Sequence, residues 1–362
     1  YNYSGATTLH ANMDDMPVGN GGFLKYASTR EDPKYISDAK KFITEADIEM
    51  LPWLSTMHTA LVIPTISITA EKATTVLFAF KEDAYDMNTI KHNVMLTYAT
   101  TDIILNLILR QETTRAWGAL DAELETIGRI QREFLPKELP GMKGVECAVH
   151  YATSTRAGGD YYDFFPLADD RTGIFIADVA GHGSPAAIVM AMTRLLLHTY
   201  PRETSPPEDV FAHLNKMLFG NLLPGQFVTA FYAILDTTER VLSFSNAGHC
   251  HPILIRAADK SALLLKTKGG LPLGIVPNGT FDMKSVKVNN GDLLFFFTDG
   301  LVEAMDCDKL MFGDKRLNDI LTSAIDSPPE SIKDRILDAL KEFCGNMDLK
   351  DDLTFIIMKI TC

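Results

Sequence analysis

The sequence predicts an α+β chain of two domains, the C-terminal one built from two antiparallel sheets flanked by helices. Three observations carry this reading. At 362 residues the chain is long for a single hydrophobic core. Apolar runs that read as strands alternate with helical patterns gathered in separate stretches. Four short acidic motifs each place an aspartate at the edge of such a run: Gly158-Gly159-Asp160-Tyr161-Tyr162-Asp163, Ala177-Asp178-Val179-Ala180-Gly181-His182-Gly183, Thr298-Asp299-Gly300-Leu301 and Asp351-Asp352-Leu353-Thr354.

From the start of the chain, residues 1 to about 40 are rich in Gly, Asn, Asp and Ser, and Gly19-Asn20-Gly21-Gly22 reads as a turn or loop. A short helical pattern covers Asp47 to Ser55. Two β-branched and aromatic runs follow, Thr59 to Ile68 and Thr74 to Phe80, and are read as strands joined through Thr69-Ala70-Glu71-Lys72. From Met87 to Arg110 apolar residues recur at helical spacing without Pro or Gly, and the helix is expected to continue through Ala116 to Phe134. Along that stretch Trp117, Leu120, Leu124, Ile127 and Phe134 stand three or four apart, with Gln131 in the missing position. Such a seam is what a parallel coiled coil presents; the competing reading is one amphipathic helix packed on its own domain. Pro136 and Pro140-Gly141 end the helix and mark a domain boundary.

Beyond the boundary, Gly173 to Val179, Val228 to Leu235, Val241 to Ser245, Pro252 to Ile255, Asp292 to Phe297 and Leu353 to Ile360 read as strands. Pro185 to Thr199, Pro207 to Leu218 and Glu330 to Phe343 read as helices, with prolines at reasonable starting positions.

Composition narrows the function classes. Hydrophobic residues at 46% and charged ones at 22% describe an ordinary globular protein. A formal charge of −13 argues against nucleic-acid and anionic-membrane surfaces, which favour basic patches. The five cysteines, Cys147, Cys250, Cys307, Cys344 and Cys362, lack paired spacing and suit reduced thiols in a cytoplasmic protein. No apolar stretch reaches membrane-span length, and the longest, Ile103 to Leu109, is interrupted by Asn106. No signal peptide is read, and the opening residue, Tyr1 rather than Met, leaves an upstream segment open.

Lone carboxylates at strand ends, gathered by a fold, are what hard divalent ions need, and without a cation they would repel one another. The residues therefore point to a metal-dependent hydrolase acting on phosphate. Gly158-Gly159 allows a tight turn that projects Asp160, and Gly181 and Gly183 permit a tight passage from the strand ending at Asp178 into a helix. Arg156 is the nearest cation to the first motif, and its planar fork suits a phosphate oxygen, although a surface arginine reads equally well. Asp163 and Glu303 read as solvated or capping acids.

In order, residue type and spacing, the four motifs resemble those of the metal-dependent serine/threonine phosphatases of the PPM type. The SpoIIE/RsbU-like branch is the nearest, with Asn246-Ala247-Gly248-His249 and Ile130-Gln131-Arg132-Glu133-Phe134-Leu135-Pro136 joining the set. The resemblance runs from about Ile127 to the end. It implies an α/β/β/α sandwich, two Mn²⁺ or Mg²⁺ ions, and direct attack by water activated between them. It also implies that Asp160, Asp178, Asp299 and Asp351 are ligands, with Asp178 bridging and the Val179 carbonyl coordinating. Asp351 is the preferred acid of its pair, and Asp352 a structural residue behind it. His182 is expected on a solvent-facing loop, and His249 in a turn between strands, a direct catalytic part being the lesser reading. The implied substrate is a phosphoserine or phosphothreonine on an anti-sigma-factor antagonist.

The N-terminal order of helix, strand hairpin and long exit helix resembles the second half of a GAF sensor domain, with no legible ligand. The expected division is a GAF-like sensor over 1–112, a helical linker over 113–136 that makes a homodimer, and a phosphatase domain over 137–362. Three other readings compete. A silent scaffold for sigma-factor regulators would have lost metal aspartates, and all four are present. A GHKL-type kinase needs an Asn-box helix before an Asp-x-Gly-x-Gly loop, which is not found. The Gly-Gly-Asp of diguanylate cyclases requires an acid where Tyr161 stands.

Overall fold

The computed structural model describes residues 32–50, 52–66, 72–79, 86–201, 205–345 and 350–361. The turn read at Gly19-Asn20-Gly21-Gly22 and most of the connection through Thr69-Ala70-Glu71-Lys72 lie outside them, as does Cys362. The chain divides into two compact units, Tyr1–Gly118 and Ala119–Cys362.

In the first unit, strand β1 (Lys34–Ile36) precedes helix α1 (Glu45–Met50), a 3-10 turn over Pro52–Thr56, and strands β2 (Thr59–Ile66) and β3 (Lys72–Ala79). The three strands form an antiparallel sheet in the order β1-β2-β3. Helix α1 starts on a reciprocal cap: Thr44 Oγ1 accepts from the Asp47 amide at 3.3 Å, and Asp47 Oδ2 accepts from the Thr44 amide at 2.7 Å. The single helix expected over Asp47 to Ser55 is broken instead, because Pro52 has no N–H to continue it.

Helix α2 (Met87–Phe134) runs 48 residues without interruption. Asp86 caps its start by accepting from the Thr89 amide at 2.6 Å. Exposure changes along its length. Met95, Ile103, Leu107, Trp117 and Leu120 are exposed, whereas Gly128 and Gln131 are buried in the second unit.

The second unit continues with strands β4 (Val145–Ala152), β5 (Tyr161–Pro166) and β6 (Arg171–Val179), then helices α3 (Ser184–Thr199) and α4 (Pro207–Leu218). Next come β7 (Val228–Asp236), β8 (Val241–Ala247), β9 (Ile253–Ile255), β10 (Ala262–Leu264), β11 (Lys284–Lys287) and β12 (Leu293–Phe297). The chain closes with helices α5 (Asp299–Val302), α6 (Gly313–Ala324) and α7 (Pro329–Cys344) and strand β13 (Leu353–Ile360). These strands make two antiparallel five-stranded sheets, ordered β10-β9-β12-β13-β4 and β11-β8-β7-β6-β5.

Period-two alternation explains why β12 is apolar at every position. Leu294 and Phe296 point between the sheets, where Phe296 meets Phe231 of β7 with ring centroids 5.9 Å apart. Leu293, Phe295 and Phe297 point outward into a second core with Leu317 and Leu321 of α6 and Ile332 and Ile336 of α7. Helices α3 and α4 cover the other sheet through Met190, Leu197, Phe211 and Leu214. The layers are therefore α/β/β/α, as expected.

Register brings the aspartates to one end. Strands β5 and β6 are antiparallel neighbours with Tyr161 opposite Ala177, so Asp160, before β5, lies beside the end of β6 that carries Asp178. Strands β12 and β13 repeat the arrangement with Phe297 opposite Phe355, which sets Asp299 near Asp351 and Asp352.

Candidate active site

Each sheet contributes one such pair of strand ends. The first loop reaches its partner only because it has no side chains in the way. A Cβ on Gly159 would stand 2.6 Å from the Val179 carbonyl oxygen and 3.3 Å from Asp178 Oδ1; one on Gly158 would stand 2.1 Å from Asp352 Oδ2. The backbone of Gly159 is held by the Val179 amide, which donates to its carbonyl at 3.3 Å.

Asp352 is buried and acts as the anchor of this loop. Its Oδ2 accepts from the Gly159 amide at 2.7 Å, and its Oδ1 accepts from the Ser154 amide at 2.8 Å and from the Ser154 hydroxyl at 3.2 Å. Asp351 beside it is exposed and accepts from the Asp352 amide at 2.8 Å. Asp160 is fully buried, and Thr298 donates its hydroxyl to Asp160 Oδ2 at 2.8 Å across the two sheets.

Crowding shows in the proton affinities. Burial, then the charges of Asp299, Asp351 and Asp352, push Asp178 up to about 7. Burial, then Asp178, raise Asp160 well above the ordinary carboxylate range, against hydrogen bonds from Thr354 and Thr298. Burial, then Asp351 and Glu303, raise Asp299. Each carboxylate makes its neighbours harder to ionise, which is the electrostatic mark of a site built for positive charge.

The donors fit a hard divalent ion: all are carboxylate or carbonyl oxygens, and the Gly159 approach leaves the Val179 carbonyl beside Asp178. Among the described residues, however, no three His, Cys, Asp or Glu side chains stand close enough to enclose an ion by themselves.

The remaining residues fall at different distances from this cluster. Arg156 does not face the carboxylates; its guanidinium forks onto Asp121 of α2 at 3.0 and 3.1 Å. His182 is exposed on the loop into α3. His249 is buried, and burial pushes its ring down to about 3, so it is neutral. Glu303 is solvated, as read. Asp163 corrects the sequence reading of a solvated or capping acid. It is buried, accepting from the Tyr161 hydroxyl at 2.5 Å and the Phe164 amide at 2.8 Å, with His198 Nε2 at 2.7 Å, because its place on β5 turns it inward under α3.

Two further residues hold the site together. Gln131 accepts from the Gly158 amide at 3.0 Å and donates to its carbonyl at 2.8 Å, tying the end of α2 to the first motif. A polar residue in an apolar seam was the signal. Thr298, whose hydroxyl holds Asp160, left no signal beyond its place next to Asp299.

Known proteins align with this part of the chain. A family model described as Stage II sporulation protein E (SpoIIE) matches residues 168–361. Protein IcfG of Synechocystis sp. is 31% identical over 270 residues, which cover 66% of this chain and 42% of that protein. Phosphoserine phosphatase RsbU of Bacillus subtilis is 26% identical over 243 residues, covering 66% of this chain and 70% of RsbU. The SiaA-PP2C domain of Pseudomonas aeruginosa shares the fold, with a TM-score of 0.60 at 20% identity over 67% of this chain and 98% of that domain. This chain thus spans less than half the length of IcfG. With the family match covering more than half of its 362 residues, and with the fold of a PP2C domain, the chain belongs to the SpoIIE family.

Proposed function

We propose that this chain is a metal-dependent protein serine/threonine phosphatase that removes phosphate from a regulatory phosphoprotein, an anti-sigma-factor antagonist. The observation that carries the reading is the meeting of Asp160, Asp178, Asp299 and Asp351 at one end of two sheets, where burial and neighbouring carboxylates raise the proton affinity of Asp160, Asp178 and Asp299. It is supported by the likeness to RsbU, itself named a phosphoserine phosphatase.

Asp178, Asp299, Asp351, Asp160 and the Val179 carbonyl would hold two ions, Mn²⁺ or Mg²⁺, which when bound supply Lewis-acid activation of water and offset charge on phosphoryl oxygens. The chain's own residues prepare that site. Thr298 keeps Asp160 aimed across the sheets. Asp352 and Gln131 hold the Gly158–Gly159 loop from opposite sides, so that Asp160 meets its partners already oriented. Arg156 reaches a substrate phosphate only by leaving Asp121, an exposed pair worth little to stability.

Residues 1–112 are assigned as a GAF-like sensor, 113–136 as a linker and 137–362 as the phosphatase domain. Control passes through α2, and the exposed Trp117 and Leu120 pair with a second copy of the chain in a homodimer. The test is incubation of the purified protein with a phosphorylated sigma-pathway antagonist, with Mn²⁺ and without metal. Phosphate release that requires Mn²⁺ is expected; metal-independent release, or none, would overturn the reading.

A further inference from the structure

Two loops extend the sheet sideways from the end of β6 that carries Asp178 and Val179. Val179 pairs with Val228 at the start of β7, and Val228 pairs in turn with Leu273. The Val228 amide donates to the Leu273 carbonyl at 3.1 Å, and the Leu273 amide to the Val228 carbonyl at 2.8 Å. Adjacent strands lie about 4.8 Å apart, so the Leu273 backbone stands about 10 Å from that of Val179. The loop before β7 is fixed to the same place, because the Ala180 amide donates to the Phe227 carbonyl at 2.9 Å.

Both loops are held in shape. Buried Asn215 of α4 accepts from the Gly274 amide at 2.9 Å and donates to the Val276 carbonyl at 2.9 Å. Gly274 lets the two loops touch, since a Cβ there would stand 2.6 Å from Leu222 Cδ1. The turn from Leu223 to Gln226 closes on itself: the Gln226 amide donates to the Leu223 carbonyl at 3.0 Å, and the Leu223 amide to Gln226 Oε1 at 3.2 Å. On this frame Leu223, Leu271 and Ile275 are 66%, 55% and 45% exposed. Apolar side chains gathered in the open on fixed loops, beside a catalytic centre, mark a surface that a partner covers.

Charge identifies the partner. A phosphoserine brings about −2 at pH 7 towards a chain of formal charge −13. Residues 262–287 reverse that sign locally, with Lys266, Lys268, Lys284 and Lys287 against Asp282, and residues 219–227 carry no charge. Lys284 Nζ donates to the Lys266 carbonyl at 2.7 Å, which draws two of these lysines together. Beyond Asp299, on the other flank, residues 303–314 hold Glu303, Asp306, Asp308 and Asp314 against Lys309. An anionic protein is therefore attracted on the first flank and repelled on the second. We propose that Leu223, Leu271 and Ile275, with Lys266 and Lys268 beside them, are the docking surface for the phosphoprotein substrate, covered by the residues that flank its phosphoserine. This rests on the phosphatase reading above. An extended chain advances about 3.3 Å per residue, so with its phosphoserine at the carboxylate end the third residue along reaches the Leu273 loop. The partner this surface fits has apolar side chains near its phosphoserine and acids farther out. A small phosphate ester has no such flanks, so preference for a protein over an ester resides in these loops.

The experiment is steady-state kinetics of the full chain with Mn²⁺ on a serine-phosphorylated sigma-pathway antagonist and on p-nitrophenyl phosphate. In the triple variant Leu223→Ser, Leu271→Ser, Ile275→Ser, KM for the phosphoprotein should rise at least about tenfold with kcat within about twofold, the pattern of lost uniform binding. Its kcat/KM for the phosphoprotein, relative to that for p-nitrophenyl phosphate, should fall by the same factor. Lys266→Glu with Lys268→Glu should lower that ratio at least about fivefold. Leu310→Ser, exposed on the acidic flank, should keep the wild-type ratio. An unchanged ratio in the charge variant, or equal losses on both substrates, would overturn the proposal even if the triple variant did not fold. So would a wild-type dimer that the triple variant makes monomeric, since the surface would then belong to a second copy of the chain. A wild type that hydrolyses neither substrate would instead overturn the phosphatase reading, and this proposal with it.

Discussion

Asp352 and Gly159, 193 residues apart in sequence, are joined by a 2.7 Å hydrogen bond from the Gly159 amide to the Asp352 carboxylate. Through it the strand end that carries Asp351 also holds the loop that carries Asp160. The two adjacent acids are placed differently: Asp352 is buried and accepts from the Gly159 and Ser154 amides, whereas Asp351 is exposed and accepts from the Asp352 amide.

Asp352→Asn and Asp351→Asn should therefore separate stability from turnover. An Asn at 352 offers one acceptor oxygen where the buried Gly159 amide and the part-buried Ser154 amide need one each, and an unpaired buried amide costs about 1–3 kcal/mol. Its thermal midpoint should fall and its turnover decline moderately. Asp351→Asn should keep the midpoint and lose turnover. Equal turnover losses with unchanged midpoints in both would show that the two acids share one role.

Asp178→Asn and Asp299→Asn should each reduce turnover by more than about a hundredfold, since loss even of a group behind a ligand costs ten- to a hundredfold. Neither should unfold the metal-free protein, because each removes one member of a repelling set. Circular dichroism and turnover on the same samples check this; near-normal turnover at saturating metal would refute the ligand assignment.

Metal binding should depend on pH with a definite sign. Unfolded, Asp178 loses its proton near 3.8; folded and metal-free, it keeps it up to about 7. Its contribution to stability is complete below pH 3.8 and is lost as pH rises through about 7. An ion needs the ionised form, so Mn²⁺ affinity should climb with pH and level off above about 7, and binding at pH 6 should release protons. Calorimetry at pH 6 in two buffers of different ionisation heat measures that release. A heat independent of buffer would contradict it.

Charged residues at Leu120 and Leu124, for example Leu120→Glu with Leu124→Lys, should change oligomeric state and turnover together. A continuous helix can carry a rotation or a change of packing, whereas a flexible linker could not. Gln131 and Gly158 are the connection at its far end. Light scattering and turnover decide: a monomeric wild type, or a variant unchanged in both, would sink the coupling.

The carboxylate end was legible because each aspartate ends or begins a run too apolar to be anything but a buried strand. Leu293–Phe297 and Leu353–Ile360 are the clearest, and their bounds differ from the reading by a residue at most. Strand β4 alternates, with Val145, Cys147, Val149 and Tyr151 towards the inter-sheet core and Glu146 and His150 on the other face, but as a partly exposed edge strand without an apolar run its signal in the sequence is weak. Strands β10 and β11 are edge strands of three and four residues, too short and exposed to leave a periodic signal. Helix α6 also went unread. Within the site, the anchoring of a loop by Asp352 could be suspected from its neighbour, but the match of Gln131 to the Gly158 peptide depends on a contact spanning 27 residues that no local pattern encodes.

The most direct test of the central claim is anomalous diffraction from crystals of the full chain soaked in Mn²⁺. Two manganese peaks are expected among Asp160, Asp178, Asp299, Asp351 and the Val179 carbonyl, both lost in Asp178→Asn. No peak there in the wild type, or peaks only at other acidic residues, would contradict the account.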